Sequence, residues 1–597
     1  MTTSQGKAIL KIASAFLLLP VAAWVMDRLS LGVTLDSNLF STTYWLSSLP
    51  VLILLAAMIL LSRRVLLSAA IMLSLLAMLF LANYLKIRYL AVTLMPADYF
   101  LLRDLDESTI ALFTRYLNNP AGVMGAIAVV ALLVGLARWD RPVFSGHRYL
   151  RAFMLIATLA AGYVSLVSPW SERIYSVERL KVVPGQSRVT QYQAGLIAGL
   201  VQAAHVIGRA FDEPIDRHAA NELFVRFGGS ELPTSEHASA SRPDVIVIQS
   251  ESFFNPDVIS QVSDTQALLP NLREAERTGA GGTLLVPTFG GGTIRTEFEV
   301  LTGIPLAAYA RVQFPYLQFG GSDIPGLARL FSGNGYETVV VHGNSGTFWN
   351  RRQAIHALGF DRFVTASEFD KKAYRDGWYL SDHSMTDEII GQLGHGDRPH
   401  FIFAISIEAH GPYLGAPRSE GMLHRSPAAP AAFSPDARDE YSRYAYHIAN
   451  ADQELGRLWS YLRQRQRPFV LVFYGDHLPP FQDVYREATF RDGRAASVHG
   501  TPWIMLGSDV TASPRKQIYA WMLPDEVLRA AGLKDSPYLS VAHAAGQALI
   551  DSPAPAQSSD ALRHALYSAA RLDFNGELDS TISSGTGAKA AATEKGP

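Results

Sequence analysis

Cysteine is absent from this chain of 597 residues, and neither sign of charge is in excess. The lack of cysteine excludes structural disulfides, cysteine-ligated zinc and a thiol nucleophile. Lys and Arg number 52 and Asp and Glu number 54, which gives a formal net charge of −2. This balance removes the basic bias expected of a nucleic-acid-binding protein, so we expect no nucleic-acid partner. A chain of this length predicts two or three domains.

Long apolar runs are confined to the first 171 residues. Five runs are near, or approach, the roughly 20 residues that cross a bilayer core; they lie at 12–26, 37–62, 65–85, 116–137 and 152–171. We therefore predict a transmembrane domain of five helices over 1–171. A signal peptide is the alternative for the first run, but no small-residue cleavage site follows it and further spans do.

Lysine and arginine residues near the ends of these runs indicate how the helices are oriented. With the N-terminus inside, the cytoplasmic ends hold eight of them and the opposite ends five, namely Lys7, Lys11, Arg63, Arg64, Arg138, Arg141, Arg148 and Arg151 against Arg28, Lys86, Arg88, Arg103 and Arg115. An odd number of spans then places everything after residue 171 outside the cytoplasm.

The remaining chain divides by composition into three stretches. Residues 172–240 carry helical patterns and end in a polar run, which indicates a helical connector and linker. Over 241–550, β-rich runs alternate with helical stretches; the runs are DVIVIQS, GTLLVP, ETVVVHG, HFIFAISIE, FVLVFYGD and TPWIMLG. This alternation predicts an α/β domain with a mostly parallel sheet covered by helices. Residues 551–597 lack periodicity and are predicted to be disordered.

Polar side chains follow four of the predicted strands. In chain order they are Glu251, Thr293, Glu408, His410, Asp476 and His477. Taken singly, such residues are more often helix caps or surface pairs. Because ligands of these sheets bind outside the carboxyl ends of the strands, we expect the side chains to lie together. Glu, Asp and His suit Mg²⁺, Mn²⁺ or Zn²⁺, so the pattern predicts a metal site.

Thr293 lies between three glycines and a helical pattern, in FGGGTIRTEFEVL. Coordination to a divalent cation lowers the pKa of a hydroxyl and yields a nucleophilic alkoxide. The start of a helix favours an anion, and glycines allow close approach of the backbone. These features favour in-line attack on an anionic ester. A helix cap is the alternative for Thr293, and Thr288 and Thr296 are rival hydroxyls.

The order and spacing of these motifs resemble the lipoteichoic-acid-synthase-like branch of the alkaline phosphatase/sulfatase superfamily, over nearly the whole chain. The resemblance implies that one divalent cation, expected to be Mn²⁺ with Mg²⁺ or Zn²⁺ as alternatives, is bound by Glu251, Thr293, Asp476 and His477. It also implies a multi-pass protein of the bacterial inner membrane with its catalytic domain on the periplasmic side.

A second group of residues is implied to contact the substrate. The segment HGNSGTFWNRR resembles the one that holds a phosphoglycerol head group, through Trp349 and Arg351, and His410 matches a histidine beside the substrate phosphate. From the residues alone, Arg351 is a fork-shaped donor for phosphate or hydroxyls, and Trp349 can wall a small polyol. His410 can donate to a phosphoryl oxygen or protonate a leaving alkoxide.

Two departures from the family pattern leave the head group open between glycerol and ethanolamine. Asn344 stands where an acid is expected, and DHLPP, which begins at Asp476, replaces a glycine-rich continuation. His499, just before the last predicted strand, matches a place where related phosphoethanolamine transferases use a histidine for a second zinc; a structural histidine is the alternative.

The resemblance implies a transferase that moves phosphoglycerol from phosphatidylglycerol to a cell-envelope glycan or lipid, through a covalent phospho-threonine. A phosphoethanolamine transferase is the first alternative, and a catalytically inactive membrane sensor on this fold is the second. A true sulfatase needs a formylglycine made from Cys or Ser in C/S-x-P-x-R, and the sequence has no such motif.

The membrane topology is testable with reporter fusions. We expect a reporter fused after residue 175 to be active only outside the cytoplasm, and one fused after Arg64 to be active only inside, because five spans separate the N-terminus from the soluble domain. Alkaline phosphatase and green fluorescent protein fusions read the two sides. The opposite pattern would mean that the spans are miscounted, first of all at 12–26.

Overall fold

The computed structural model describes most of the chain. The described residues are 3–90, 93–96, 98, 120–144, 148–182, 187–207, 214–228, 242–262, 267–309, 312, 314–319, 323–413, 418–425, 427–533, 536–551 and 556–578. The chain forms two compact units, Met1–Arg209 and Ala210–Pro597.

The first unit is built from helices. Within its described residues these are α1 Thr3–Leu31, α2 Thr42–Ser62, α3 Val65–Leu90, α4 Pro120–Trp139, α5 Arg148–Leu166, α6 Pro169–Ile174, α7 Val177–Leu180, α8 Ser187–Ala194 and α9 Leu196–Ile207. Apolar N-terminal helices are thus confirmed.

The number of membrane-spanning helices differs from the prediction. Four helices in the described part of the chain are long and apolar enough to cross a membrane, namely Gly6–Leu31, Thr42–Ser62, Val65–Arg88 and Arg148–Leu166. The fifth predicted span, 116–137, overlaps α4, whose apolar part Val123–Trp139 is shorter. Residues 116–119 lie outside the described ranges. The described residues therefore support four spans, where the sequence predicted five.

A buried polar cluster joins α8 to the membrane helices α1 and α3. Gln191 donates to Asp27 at 2.8 Å, and Asn83 donates to Gln191 at 3.1 Å. Both terminal nitrogens of Arg28 donate to the carbonyl of Tyr192 at 3.0 Å. The first part of the predicted connector, 172–240, therefore packs within the first unit, while residues 229–241 lie outside the described ranges.

The second unit is an α/β domain. Its described strands are β1 Asp244–Ser250, β2 Ala280–Leu285, β3 Glu337–His342, β4 Arg362–Thr365, β5 Arg375–Asp376, β6 Tyr379–Leu380, β7 His400–Ile405, β8 Phe469–Gly475, β9 Thr501–Gly507 and β10 Lys516–Tyr519. Its described helices are α10 Arg217–Phe227, α11 Pro270–Thr278, α12 Thr293–Thr302, α13 Pro315–Gln318, α14 Leu327–Gly333, α15 Arg351–Ala357, α16 Asp382–Leu393, α17 Glu420–Arg425, α18 Pro435–Gln464, α19 Val484–Glu487, α20 Leu523–Ala530, α21 Pro537–Asp551 and α22 Ala556–Phe574.

Eight of these strands form one sheet in the order β10-β2-β9-β8-β1-β7-β3-β4. All neighbouring pairs are parallel except those of β9, which is antiparallel to both β2 and β8. The prediction of a mostly parallel sheet is therefore confirmed. The six predicted strands are all present, and the short strands β4 and β10 extend the sheet at its edges.

The sheet is covered by helices because its central strands are apolar on both faces. Every residue of β1 and of β8 is buried. Ile246 and Ile248 of β1 belong to a core cluster that also contains buried residues of α11, α16 and α18. The alternate residues Val245 and Val247 are also fully buried, on the opposite face. This double burial is typical of parallel sheets with helices on both sides.

The end of the chain is more ordered than the sequence predicted. Helix α22, Ala556–Phe574, lies within the stretch 551–597 that we expected to be disordered, and it packs on α10 and α21. Leu566, Ala569 and Ala570 are fully buried at helical spacing, and the helix is rich in alanine, which has the highest helix propensity. The prediction of disorder was wrong for these residues; 579–597 lie outside the described ranges.

Helix α18 fixes the turn that follows β1. The Tyr444 hydroxyl donates to the carbonyl of Ser252 at 2.8 Å and accepts from the backbone N–H of Phe254 at 3.3 Å. All three residues are buried, and Ser252 has a positive φ of 53°. A non-glycine residue in this conformation persists only when its surroundings hold it there. Tyr444 therefore stabilises the backbone that carries Glu251.

Replacing Tyr444 with phenylalanine tests this contact. We expect Tyr444→Phe to lower the free energy of unfolding by about 1–3 kcal/mol, because a buried N–H loses its acceptor. Chemical denaturation of the detergent-solubilised chain, followed by tryptophan fluorescence, measures the change. The control Tyr461→Phe, on the partly exposed part of the same helix, should stay within about 0.5 kcal/mol of the parent. Equal losses in the two variants would remove the special role of Tyr444.

Candidate active site

Adjacent parallel strands bring three candidate ligands together. Glu251 directly follows β1, and Asp476 and His477 directly follow β8. The two strands are paired in register, with Ser250 opposite Gly475, so both end at the same edge of the sheet. One ligand atom from each of Glu251, Asp476 and His477 lies within 4.8 Å of the others, and all three residues are buried.

The hydroxyl of Thr293 completes this cluster. Its Oγ1 lies 3.4 Å from Oε2 of Glu251 and 3.5 Å from Nε2 of His477. Nε2 of His477 is in turn 3.3 Å from Oδ2 of Asp476 and 3.6 Å from Oε1 of Glu251. The four side chains that the sequence predicted to converge therefore do meet at the carboxyl edge of the sheet. Their roles as ligands and nucleophile are taken up below as proposals.

Three successive glycines shape the approach to Thr293. Gly290, Gly291 and Gly292 have φ values of 67°, 142° and 81°, a left-handed region that favours glycine. A Cβ on Gly292 would lie 2.9 Å from the Thr288 hydroxyl, which is too close. The glycine run therefore permits a tight turn that places Thr293 at the first position of α12.

The structure does not favour the alternatives to Thr293 as the hydroxyl at the site. The N-cap residue of α12 is Gly292, so Thr293 follows the cap position. The Thr288 hydroxyl donates to the carbonyl of Gly291, and the Thr296 hydroxyl donates to the carbonyl of Asp476 at 2.7 Å. Both rival hydroxyls thus support the backbone around the site, whereas the hydroxyl of Thr293 faces Glu251 and His477.

Hydrogen bonds orient Asp476 and His477. Oδ1 of Asp476 accepts from the backbone N–H groups of Ser252 and His477, at 2.7 and 2.8 Å. Nδ1 of His477 lies 3.0 Å from the carbonyl of Leu478. Donation of the Nδ1 proton to that carbonyl leaves a lone pair on Nε2, the nitrogen that faces the carboxylates. Such a backbone contact is the usual support of a metal-binding histidine.

The electrostatics of the cluster fit a bound cation. Burial, and then the charge of Glu251, raise the pKa of Asp476 to about 7, although His477 opposes the rise. Oδ2 of Asp476 is buried without a hydrogen-bond partner in the described part of the chain. A lone pair on Nε2 and three carboxylate oxygens repel one another at these distances unless a positive charge lies between them. The residues therefore fit one divalent cation with oxygen and nitrogen ligands.

Glu408, the other acidic residue at a strand end, lies in a separate polar cluster. Its carboxylate accepts from the backbone N–H of Asp382 at 2.7 Å and from Asn450 at 2.7 Å, and it contacts Nδ1 of His447 at 2.9 Å. Glu408 is therefore a structural acceptor that holds the start of α16 and part of α18, rather than a member of the ligand group.

Arg351 is buried and paired, which the sequence did not predict. Its Nη2 donates to Oε2 of Glu297 at 2.9 Å and its Nε to the same oxygen at 3.2 Å. Its Nη1 lies 3.3 Å from Nε2 of His342. The exposed fraction of Arg351 is 3%. The sequence feature that could have drawn attention to Glu297 is its position four residues after Thr293, which places both residues on one side of a helix.

Trp349 and Asn344 lie on the segment between β3 and α15. The Trp349 ring stacks on Phe314 with centroids 4.9 Å apart, and its backbone has a φ of 60°. Asn344 is half-buried, and its carbonyl accepts from the N–H of Ala366 at 3.2 Å. Its amide side chain carries no charge. An aromatic wall and a neutral side chain therefore accompany Arg351 on this segment.

The two remaining predicted residues differ in their surroundings. Nδ1 of His410 lies 2.6 Å from the carbonyl of Gly411, and its ring is 5.1 Å from that of Tyr379. Nε2 of His499 contacts both carboxylate oxygens of Asp492 at 3.1 Å, and its ring lies 4.3 Å from that of Phe490. These contacts favour the structural alternative for His499.

The candidate site lies within a region that matches a known protein family. The sulfatase family model matches residues 243–532. A putative cyclic beta-1,2-glucan modification protein of Rhizobium meliloti is 30% identical over 380 residues, 64% of this chain and 57% of the relative. The lipoteichoic acid synthase of Staphylococcus saprophyticus is 25% identical over 258 residues, 41% of this chain and 37% of the relative. The chain spans about half of the length of the first curated relatives it matches.

Solved structures with a similar fold include two transferases. The Streptococcus pyogenes phosphoglycerol transferase GacH, in complex with sn-glycerol-1-phosphate, is 19% identical, with a TM-score of 0.48 over 62% of this chain and 92% of that one. The lipooligosaccharide phosphoethanolamine transferase A of Neisseria meningitidis is 11% identical, with a TM-score of 0.49 over 84% of this chain and 98% of that one.

Residues 243–532 are thus a sulfatase-like domain of the alkaline phosphatase/sulfatase superfamily. Lipoteichoic acid synthases are among the relatives that the chain resembles. The resemblance seen in the sequence is therefore confirmed.

Metal binding at this cluster should depend on pH. Because the pKa of Asp476 is raised to about 7, protons compete with the cation below that pH. We expect the affinity for Mn²⁺ to fall by up to about tenfold per pH unit between pH 7 and 6, and to level off above about pH 8. Isothermal titration calorimetry with the metal-stripped chain measures this profile.

Without the cation, the ionisation of Asp476 affects the stability of the fold in the opposite direction. A raised folded-state pKa means that Asp476 favours folding at low pH and that this contribution is lost as pH rises from about 4 to about 7. Bound Mn²⁺ should therefore raise the melting temperature more at pH 8 than at pH 6. Asp476→Asn should weaken Mn²⁺ binding and flatten the dependence of that affinity on pH. An unchanged pH dependence in this variant would show that a different ligand titrates.

Proposed function

We propose that the protein is a membrane-anchored transferase that moves a phosphoglycerol head group from phosphatidylglycerol to a cell-envelope glycan or lipid acceptor. The observation that carries the proposal is the placement of the Thr293 hydroxyl between Glu251 and His477, at 3.4 and 3.5 Å. A hydroxyl held at the first turn of a helix and against metal-type ligands is suited to attack phosphorus.

The first half-reaction is a displacement at phosphorus. The Thr293 oxygen forms a bond to the phosphorus of the lipid, the bond between phosphorus and the diacylglycerol oxygen breaks, and diacylglycerol leaves with a proton. A divalent cation at Glu251, Asp476 and His477 would lower the pKa of the hydroxyl and neutralise charge on the phosphoryl oxygens. The backbone N–H groups at the start of α12 add a favourable dipole for the anion.

The second half-reaction returns the enzyme to its starting state. A hydroxyl of the acceptor attacks the phosphorus, the bond to Thr293 breaks, and a proton returns to the Thr293 oxygen. His410 is the residue proposed to move protons in these steps. Its Nδ1 contacts the carbonyl of Gly411, which leaves Nε2 as the nitrogen for proton exchange.

The head group and acceptor are inferred from different observations. The charge of Arg351 is paired with Glu297, and Asn344 is neutral, so this segment offers no unpaired carboxylate to an ammonium group. This favours glycerol over the ethanolamine alternative. A glycan acceptor is supported by the relatives in Rhizobium meliloti, which are named for cyclic beta-1,2-glucan modification and for capsular polysaccharide biosynthesis.

The cellular setting and the second alternative follow from the same residues. We propose that the helices of the first unit tether the catalytic unit to a membrane, where a lipid donor is abundant, and that it faces the periplasm. With the N-terminus inside, this orientation requires α4 to cross the membrane in addition to the four longer helices. Mn²⁺ is the proposed ion, with Mg²⁺ or Zn²⁺ as alternatives. An inactive sensor would not need the intact cluster of Glu251, Thr293, Asp476 and His477, which argues against that function.

Loss of the Thr293 hydroxyl should abolish the reaction. We expect Thr293→Ala to reduce Mn²⁺-dependent release of diacylglycerol from fluorescent phosphatidylglycerol by at least about a thousandfold, because no nucleophile remains. Thr278→Ala, on the exposed end of α11, is the matched control and should keep full activity. Undiminished release of diacylglycerol by Thr293→Ala would contradict the covalent mechanism. Faster cleavage of a phosphatidylethanolamine analogue by the parent protein would favour the ethanolamine alternative.

Loss of His410 should slow turnover more than it slows the labelling of Thr293. We expect His410→Ala to allow labelling of Thr293 while slowing turnover by about 10²–10⁴-fold, the usual contribution of a general acid–base residue. Rapid-quench measurement of the labelled enzyme and of released diacylglycerol distinguishes the two steps. A variant that is neither labelled nor active despite normal Mn²⁺ binding would place His410 in nucleophile activation instead.

A further inference from the structure

We propose that Glu297 is a positioning residue that holds Arg351 as a neutral ion pair, so that the head-group pocket selects an uncharged polyol over a charged head group. The inference rests on the proposed function, since it concerns the donor of that reaction. It goes beyond the motif at 342–352, because Glu297 belongs to a different element, the helix that begins with Thr293.

The geometry of the pair is tightly determined. The Glu297 side chain has an exposed fraction of 0% and that of Arg351 has 3%. Nε of Arg351 lies 3.4 and 3.2 Å from the two carboxylate oxygens, and Nη2 lies 2.9 Å from Oε2. These contacts, with Nη1 at 3.3 Å from His342, use three of the five N–H groups of the guanidinium. Two N–H groups are left for a ligand, in a fixed plane.

Two neighbouring polar groups of the pair are neutral. Nδ1 of His342 lies 3.1 Å from the carbonyl of Ile405, so its Nε2 accepts from Arg351. Burial, and then the charge of Arg351, lower the pKa of His342 to about 3, so the imidazole stays uncharged at neutral pH. Burial raises the pKa of Tyr316 well above its usual range. The positive charge of Arg351 is therefore balanced first by Glu297, and the charge of Glu251 stabilises it in the same direction.

Glu297 also links the nucleophile to the pocket. It lies four residues after Thr293 on α12, one turn along the same side of the helix. Beyond the pair, Trp349 and Asn350 have φ values of 60° and 59°, a strained conformation for large side chains. Asn350 donates to the carbonyl of Tyr316 at 3.0 Å, which holds this strained turn in place.

This arrangement predicts how the pocket discriminates between head groups. An ion pair that is already satisfied offers donors to hydroxyl oxygens but no net charge. An ammonium group would be desolvated without an unpaired carboxylate, and a second phosphate without an unpaired cation. A glycerol hydroxyl has neither cost, so the wild-type chain should use phosphatidylglycerol in preference to phosphatidylethanolamine and phosphatidylglycerophosphate.

The test compares these three lipids in Glu297→Gln, which keeps the size of the side chain and removes its charge. We expect KM for phosphatidylglycerol to rise about tenfold with kcat changed less than about threefold, because binding rather than chemistry is affected. The ratio of kcat/KM for phosphatidylglycerophosphate over phosphatidylglycerol should rise at least about tenfold, because the guanidinium is no longer neutralised. The double variant Glu297→Gln/Arg351→Gln should lose that gain.

Glu299→Gln is the matched control. Glu299 is a buried glutamate of the same helix that accepts from the N–H of Leu306 at 2.8 Å, and burial raises its pKa to about 8. Its replacement should leave the ratio between lipids unchanged. An unchanged ratio in Glu297→Gln, or the same change in Glu299→Gln, would overturn the inference. Should Glu297→Gln fail to fold, Arg351→Gln is measured in its place; it leaves the Glu297 carboxylate unpaired, so the ratio of kcat/KM for phosphatidylethanolamine over phosphatidylglycerol should rise, and an unchanged ratio would count equally against the inference.

The failure of the proposed function is distinguishable from the failure of this inference. A wild-type chain that cleaves none of the three lipids contradicts the proposed function. Calorimetry of sn-glycerol 1-phosphate and phosphoethanolamine binding to the full chain with Mn²⁺ then tests the pocket directly. Preference for glycerol phosphate in the wild type and its loss in Glu297→Gln would support the inference, and equal binding of both ligands to the wild type would overturn it.

Discussion

The candidate site depends on one electrostatic constraint, the convergence of buried charged groups at the edge of a parallel sheet. Glu251, Asp476 and His477 present ligand atoms within 4.8 Å of one another. Burying carboxylates without compensation costs several kcal/mol for each ion, and the raised pKa of Asp476 records part of that cost. A divalent cation bound here would offset it. The register of β1 and β8, the turn held by Tyr444 and the glycines before Thr293 all serve to place these groups around one point.

The second buried charge arrangement is resolved within the protein itself. Arg351 is neutralised by Glu297, at 2.9 Å, so it needs no external counter-ion. Helix α12 connects the two arrangements, because it carries Thr293 of the first and Glu297 of the second. One is suited to a cation and an anionic phosphoryl group, and the other to neutral hydroxyls. A glycerol-phosphate group carries both features, which supports the substrate that we propose.

The positions of Glu251, Asp476 and His477 were predictable from the sequence because they follow strongly apolar runs. Strands such as β1 and β8 are buried on both faces, so their boundaries and their shared edge could be inferred without coordinates. The partner of Arg351 could not, because Glu297 lies in a helix whose rotation depends on tertiary packing. The antiparallel direction of β9 and the helix Ala556–Phe574 were also missed. The apolar sequence of a strand does not show whether the strand runs parallel or antiparallel to its neighbours. An alanine-rich amphipathic helix is similar in composition to a low-complexity tail.

Covalent phosphorylation of Thr293 is the central claim, and mass spectrometry tests it most directly. The full chain in detergent is incubated with Mn²⁺ and phosphatidylglycerol, quenched in acid and digested, and the peptide that contains Thr293 is sequenced. The account predicts one glycerophosphoryl group on Thr293, which disappears when an acceptor glycan is added. Diacylglycerol release with the group on another residue, or with no covalent adduct under conditions that trap the first half-reaction, would contradict it.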